Sequence, residues 1–210
     1  MLDWQLELNT KNPNFSQIQA WLTVNPDELP FLIANLKSNE DTLRFNSFML
    51  AQKIAQDEGT LLYPYWQDLA AMLKDSNNFY RSIAIQILAA LCPIDQDNKF
   101  ELIKEDYFAH FHSGSIMTIR YLIQSTPAIF LAKPNLRPYL MNILLHIEKH
   151  VNLKPERIDL LKNDILIIFE DIWEKIDEKD PLIAFAEKAI QAQSPKTKKQ
   201  AREFIKKYKI

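Results

Sequence analysis

The sequence predicts an all-α protein, and three observations carry that prediction. Only 2 of the 210 residues are glycine, so turn-rich sandwiches, barrels and phosphate-binding glycine loops are nearly excluded. Hydrophobic side chains make up 47% and charged ones 25%, which is the balance of a globular chain with a sizeable core. Apolar residues recur every three or four positions along nearly every segment, whereas the strict alternation of strands is absent.

Helix-start signals place the first five helices. Asn12-Pro13-Asn14 and Asn25-Pro26 open the first two, and Asn39-Glu40-Asp41 opens the third, which is expected to end near Gly59. Tyr63-Pro64 falls in the first turn of the fourth, since proline is tolerated there. Asp75-Ser76-Asn77 caps the fifth, which ends before Pro93. The expected spans are therefore about 15–24, 26–37, 39–59, 63–74 and 75–92.

The same periodicity continues through six further helices. Short polar segments separate them, so consecutive helices are expected to form antiparallel pairs. The spans are about 98–112, 115–131, 136–150, 154–175, 181–193 and 195–208. The sequence thus predicts eleven helices.

The pairs repeat along the chain. Aligning 29–44 with 66–81 at an offset of 37 matches two leucines, a lysine and an arginine, which are Leu32 with Leu69, Leu36 with Leu73, Lys37 with Lys74 and Arg44 with Arg81. Arg120 and Arg157 continue the arginine series, and Lys198 or Lys199 stands at the corresponding place of a fifth unit. A two-helix repeat of this length predicts an α-solenoid, a right-handed superhelix of about five helix pairs with an N-terminal capping helix. The expected single domain spans 1–210, with the cap at 1–24 and repeats at 25–60, 61–97, 98–135, 136–180 and 181–210.

The repeat unit resembles the HEAT repeat family, an armadillo-like α-solenoid. The resemblance is carried by Leu29-Pro30-Phe31-Leu32, an acidic loop residue such as Asp75, and the hydrophobic-arginine steps Leu43-Arg44, Tyr80-Arg81 and Ile119-Arg120. It is good in the first two units, fair in the third and weak in the last two. The resemblance implies a scaffold and a style of binding, and it implies no reaction.

The arginine series has a predicted structural role. Arg44, Arg81, Arg120 and Arg157 each lie near the start of the second helix of a pair, so they are expected to stack and to bond loop carbonyls or acids of adjacent units. Direct contact with a ligand is the alternative. In the same helices, Ser47 and Leu50 of the first unit and Ile83 and Ile87 of the second belong to the predicted core stripe.

Charge is nearly balanced but unevenly placed. A net charge of −2 gives the whole chain no electrostatic reason to bind nucleic acid or an anionic membrane. The segment 196–210, however, holds seven basic residues and one acid. Either these cations complement a helix dipole and give the last repeat a polar, hydrated outer face, or they contact nucleic acid or an acidic partner.

No constellation predicts catalysis, a metal or another cofactor. His146 and His150 share a helix face, but no third ligand lies at zinc spacing. His110 and His112 are two residues apart and point away from each other. Cys92, the single cysteine, ends an apolar stripe as a small hydrophobe and can form no intramolecular disulfide. The N-terminus has neither a basic start nor an apolar run, so a cytoplasmic location is expected.

One enzymatic alternative concerns nucleic acid. A group of DNA glycosylases acting on alkylated bases is built from HEAT-like helix pairs, and such enzymes need a basic concave surface with aromatic residues. Tyr63, Tyr65 and Trp66 cluster here, and Arg81 and Arg120 could face a groove. The aromatic cluster begins a first helix, however. The rest of the chain is acidic, which disfavours binding to a negatively charged DNA duplex.

The favoured function is a non-enzymatic scaffold that binds another protein, as a monomer or weak dimer. A partner helix or extended segment is expected on the concave layer formed by the second helices. Positions left over after the core stripe is assigned predict the contact residues, which are Phe45, Phe48, Met49, Gln52, Ile85, Gln86, Tyr121 and Gln124. This groove is expected to be apolar at its N-terminal end and polar further along. Alternatively, the cap helix covers Phe45 and Phe48 with Ile18 and Trp21.

Overall fold

A computed structural model describes residues 3–209 of the chain, and within that range the protein contains thirteen α-helices and no strands. Short 3₁₀ turns extend several of them. In chain order the helices are α1 (Trp4–Leu8), α2 (Phe15–Val24), α3 (Leu29–Asn35), α4 (Asp41–Asp57), α5 (Trp66–Ala71), α6 (Asn78–Leu91), α7 (Lys99–Phe108), α8 (Ile116–Ala132), α9 (Arg137–Leu145), α10 (Ile147–His150), α11 (Pro155–Ile172), α12 (Asp180–Ala189) and α13 (Pro195–Tyr208).

All eleven predicted helices are present, so the all-α prediction is confirmed. Side-chain caps account for four of them, since Asn14, Asn77, Ser115 and Ser194 each accept a hydrogen bond from a backbone N–H in the first turn that follows. Two details differ from the prediction. Helix α1 was not anticipated, and the span 136–150 breaks into α9 and α10 at His146, where the backbone leaves the helical region.

The described chain divides into two compact units, one ending at Lys104 and the other beginning at Glu105. Helix α7 carries the chain from the first unit into the second. Each unit is a stack of helix pairs, in which a first helix packs on a second helix and the second helices of successive pairs pack on each other. Within each unit the helix pairs therefore stack as in an all-α solenoid, while the superhelix and the single-domain division into five repeats stay predictions.

Helices α1 and α2 cap the first unit. Both pack on α4, and Ile18 and Leu22 of α2 are completely buried. The buried amide of Asn46 in α4 donates hydrogen bonds to the carbonyls of Leu8, at 2.8 Å, and of Thr10, at 2.9 Å. The chain between α1 and α2 is thus fixed to the first repeat, as the predicted cap requires.

Two helix pairs follow in the first unit, α3 with α4 and α5 with α6. The second helices α4 and α6 pack on each other through the predicted stripe, and Leu50, Ile54, Ile87 and Leu88 are fully buried. Gly59, just after α4, is buried against the side-chain ends of Ile94 and Leu91. A Cβ there would lie 2.9 Å from Cδ1 of Ile94, too near for any larger residue without a shift.

In the second unit, helix α11 lies between α8 and α13 and packs on both. Phe169 of α11 packs against Phe204 of α13 and Phe185 of α12, with ring centres 6.4 and 5.4 Å away. Buried Asp159 of α11 accepts a hydrogen bond from the backbone N–H of Gln193, before α13. These contacts fasten the last pair to the one before it. None of the described helices is long and apolar enough to cross a lipid bilayer.

Candidate protein-binding surface

Four large apolar side chains remain exposed on two neighbouring second helices of the second unit. Met117 and Leu131 of α8 are each 47% exposed, and Leu160 and Ile167 of α11 are 40% and 41% exposed. We call the exposed side of these two helices the α8–α11 face. Because exposed apolar residues in monomers are usually scattered, this group on packed helices is the candidate interaction surface.

Helix geometry places these side chains on one side of each helix. At about 100° per residue, positions 117, 124 and 131 of α8 point the same way, as do 160 and 167 of α11. Helices α9 and α10 lie between α8 and α11 along the chain, and α8 and α11 pack directly on each other. The two apolar rows thus lie side by side.

An ion pair between the two helices sets their register. Arg120 of α8 donates hydrogen bonds from Nε and Nη2 to the carboxylate of Asp164 in α11, at 2.6 and 3.2 Å. The Asp164 side chain is 5% exposed and that of Arg120 32%. The hydrogen bond to Asp164 raises the pKa of Arg120 above its ordinary value, whereas burial opposes that shift. The pair holds the rows together and keeps the cation of Arg120 neutralised.

Two predicted contact residues belong to this face. Gln124 is exposed and Tyr121 is half-buried, both on the side of α8 that carries Met117. Exposed Met117 and Leu131 flank these residues, so this side of α8 also carries apolar side chains that the prediction of a polar stretch did not include. Spacing alone could have found Met117 and Leu131, since they lie on the same face as Tyr121 and Gln124 at helical intervals. Leu160 and Ile167 carried no such signal, because most of α11 is apolar.

In the first unit, the predicted contact residues of α4 lie at the surface to different degrees. Phe45 is 60% exposed, so the cap helix does not cover it as core. Phe48, Met49 and Gln52 are half-buried. The contact role of all four residues stays a prediction.

The predicted contact at Ile85 is wrong. Its side chain is 0% exposed, because helix α6 is covered on more sides than the stripe prediction allowed. Gln86 is half-buried, and its Nε2 donates to the carbonyl of Ser82 at 3.0 Å. Helix α6 therefore offers a partner little surface at these two positions.

The arginine series serves several structural purposes. Arg44 donates to the carbonyl of Ser38 at 2.8 Å, and its guanidinium lies 5.1 Å from the ring centre of Phe79 in the next pair. Arg81 likewise bonds the loop carbonyls of Asp75 and Ser76. Loop carbonyls are thus bonded as predicted, although within the arginine's own pair rather than an adjacent one.

The last two arginines of the series differ from the first two. Arg120 matches the prediction of an acid in an adjacent repeat, because its partner Asp164 belongs to the next pair. Arg157 is exposed at the start of α11, and within residues 3–209 its guanidinium makes no hydrogen bond or ion pair, although its backbone N–H donates to the carbonyl of Lys154. Its side chain is therefore free to contact a partner.

The aromatic cluster and the cysteine that were weighed as candidates for base binding or catalysis are part of the packed core or bonded to neighbouring side chains. Trp66 and Cys92 are buried, and the Tyr63 hydroxyl donates to Asp95 at 2.7 Å. Burial and, after it, the Asp95 carboxylate raise the pKa of Tyr63. Tyr65 is half-buried beside them along the chain. Within residues 3–209, no group of three or more His, Cys, Asp or Glu side chains is placed to hold a metal ion.

Comparisons with known proteins add little to this geometry. No protein-family profile matches the chain, and no curated protein sequence matches it. Among solved structures, a designed armadillo repeat protein is similar over 97% of both chains, with 14% identity and a TM-score of 0.45.

Proposed function

We propose that this chain is a non-enzymatic repeat domain that binds a helix or an extended segment of another protein on its α8–α11 face. The observation that supports the proposal is the side-by-side placement of Met117 and Leu131 with Leu160 and Ile167, all large, apolar and 40–47% exposed. Covering such surface is favourable by about 25 cal/mol for each Å² of apolar area removed from water.

The residue types on this face also suit a binding surface. Gln124 and the half-buried Tyr121 supply polar groups among the apolar rows, and such groups fix the orientation of a partner. The Arg120–Asp164 pair keeps the two helices in one register, so the rows are formed before a partner arrives. A preformed surface loses less entropy on binding than one that must be ordered.

A comparative pull-down tests the proposal. The wild-type chain, the double variant Leu160→Ser with Ile167→Ser, and the control Val24→Ser are immobilised and exposed to the same lysate. Val24 is a matched control because it is apolar and 73% exposed in α2, a helix of the other unit. Proteins retained by wild type and control but lost from the double variant support the proposal.

The outcome is interpretable only if the variants remain folded. All three substituted side chains are exposed, so we expect each change to alter the free energy of unfolding by about 0.5 kcal/mol or less. Thermal unfolding by circular dichroism checks this. Retention of the same proteins by wild type and by the folded double variant contradicts the proposal.

A further inference from the structure

Cations accumulate where α11 and α13 begin. The segment 154–157 and the segment 194–199 together hold five basic side chains and one acid, Glu156. We call this group the cationic end; its basic members are Lys154, Arg157, Lys196, Lys198 and Lys199. All but the half-buried Lys198 are exposed.

Helix electrostatics does not account for these cations. The N-terminal end of a helix carries partial positive charge, so lysines and arginines there are unfavourable, and only Lys206 and Lys207 lie in the last turn of α13, where cations are favourable. No acidic residue occupies the first turn of α13. The dipole explanation therefore fails for the first half of the helix.

Ion pairs do not account for them either. Within the described chain, the one acid paired with a member of the cationic end is Glu203, which lies 3.9 Å from Lys199 with both side chains more than half exposed. Such a pair contributes little. Cations at the start of a helix that neither the helix dipole nor an ion pair favours are typical of functional sites.

The cationic end adjoins the α8–α11 face. Thr197 of α13 donates from Oγ1 to the carbonyl of Asp159 in α11 at 2.7 Å, which brings the first turns of the two helices to the same level. Arg157 lies two residues before Asp159 and three before Leu160, so it shares the exposed side of α11 with Leu160. The apolar row of α11 thus begins among cations.

The other end of the same row is acidic. Asp171 in the last turn of α11 and Glu174 in the 3₁₀ turn after it are exposed, about four turns from Arg157. With Glu170 they outnumber by one the two lysines at this end, exposed Lys175 and Lys207, which pairs with Glu170. Charge therefore changes sign along the face, from basic beside Leu160 to acidic beyond Ile167. A duplex or single-stranded nucleic acid, which is uniformly negative, matches only one end of this surface.

Resting on the proposed function, we infer that the partner segment is apolar with acidic residues concentrated at one end. Its apolar side chains cover Met117, Leu131, Leu160 and Ile167, and its carboxylates pair with Arg157, Lys196 and Lys199. Complementary charge sets the direction in which the segment lies and speeds its association. The segment's acidic end lies at the start of α11.

Selection from a displayed library of random twelve-residue peptides tests this inference on the full chain. Three baits are compared, namely wild type, the charge-reversed variant Arg157→Glu/Lys196→Glu/Lys199→Glu, and the face variant Leu160→Ser/Ile167→Ser. Selected peptides are then synthesised and titrated by fluorescence anisotropy, beside a labelled 20-base-pair DNA duplex. Circular dichroism confirms that each bait is folded.

We expect wild type to select peptides with several large apolar residues and Asp or Glu clustered at one terminus. The charge-reversed variant should bind them about tenfold or more weakly and should favour Lys or Arg at that terminus. An unchanged acidic preference on the reversed bait overturns the inference, as does tighter binding of the duplex than of any selected peptide.

The two proposals fail in different ways. If apolar peptides without acidic bias are selected and the face variant loses them, the proposed function stands and the inference about charge is wrong. If the face variant binds the selected peptides as tightly as wild type does, the proposed function itself is contradicted.

Discussion

Arg120 and Asp164 join α8 to α11 through two hydrogen bonds from one guanidinium to one buried carboxylate, across 44 residues of sequence. Removing the arginine leaves the carboxylate of Asp164, a side chain that is only 5% exposed, without this partner. A buried charge without a partner lowers the stability of the folded state. Because Arg120 is partly exposed, the loss is smaller than for a fully buried pair. We therefore expect Arg120→Ala to reduce the free energy of unfolding by about 1–3 kcal/mol.

The control for that variant comes from the same series. Arg157 is exposed and unpaired, so Arg157→Ala should change stability by about 0.5 kcal/mol or less. Urea denaturation followed by circular dichroism measures both. Equal losses from the two variants would contradict the different roles that the structure gives these arginines.

Arg81 anchors the loop between α5 and α6. Its guanidinium bonds the carbonyls of Asp75 and Ser76, so Arg81→Ala removes partners from two backbone acceptors. The loop remains partly open to water, which replaces some of the loss, and we expect a decrease of about 1–2 kcal/mol. An unchanged denaturation midpoint, together with weaker partner binding, would make Arg81 a ligand residue instead.

The contact of Lys37 with Asp75 predicts a pH dependence. Nζ of Lys37 lies 2.7 Å from the carboxylate, and this hydrogen bond, with a smaller share from the Asn77 backbone N–H, lowers the pKa of Asp75. A lowered pKa in the folded state stabilises the protein above the unfolded value of about 3.9, and that contribution disappears as the pH falls through the folded pKa.

We therefore expect Lys37→Met to be less stable than wild type at pH 7, with the difference shrinking as the pH falls through the lowered pKa of Asp75 and vanishing once Asp75 is protonated in both states. Lys11→Met is the control, since Lys11 is an exposed lysine outside the helices. Denaturation midpoints across the pH range provide the measurement. A stability difference that grows as the pH falls has the wrong sign for this account.

Phe45 and Phe48 lie about one turn apart on α4 but differ in burial. Phe45 is 60% exposed and Phe48 is half-buried, so Phe45→Ser should cost about 0.5 kcal/mol or less. Phe48→Ser should cost more, about 1–2 kcal/mol, which is below the range for a fully buried ring. Thermal unfolding of the two single variants separates them. A loss from Phe45→Ser as large as that from Phe48→Ser would show that both rings are core.

Local chemistry explains what could be predicted from sequence. Helix starts at Asn14, Asn77 and Ser194 are set by a side chain that accepts an N–H two or three residues ahead, so these signals lie within one turn. The repeat was also visible, because Arg44 and Arg81 bond their own loops and recur at a fixed interval.

The candidate site was less predictable, because exposure depends on neighbours that are distant in sequence. Phe48 and Ile85 occupy equivalent positions at the repeat offset of 37, yet Phe48 is half-buried and Ile85 is completely covered. Periodicity gives the apolar side of a helix but not how many neighbours surround it. For α11, which is apolar on most sides, only the packing of α8 and α13 shows that Leu160 and Ile167 stay exposed.

Site-specific photo-crosslinking tests the binding face most directly. A photoreactive phenylalanine analogue is placed at Ile167 in one variant and at Val24, as control, in another, and each is irradiated in cells that express it. We predict a covalent adduct between the chain and another protein from position 167, and none from position 24. Adducts that form at position 24 but not at position 167 in the folded variants would contradict a partner site on the α8–α11 face.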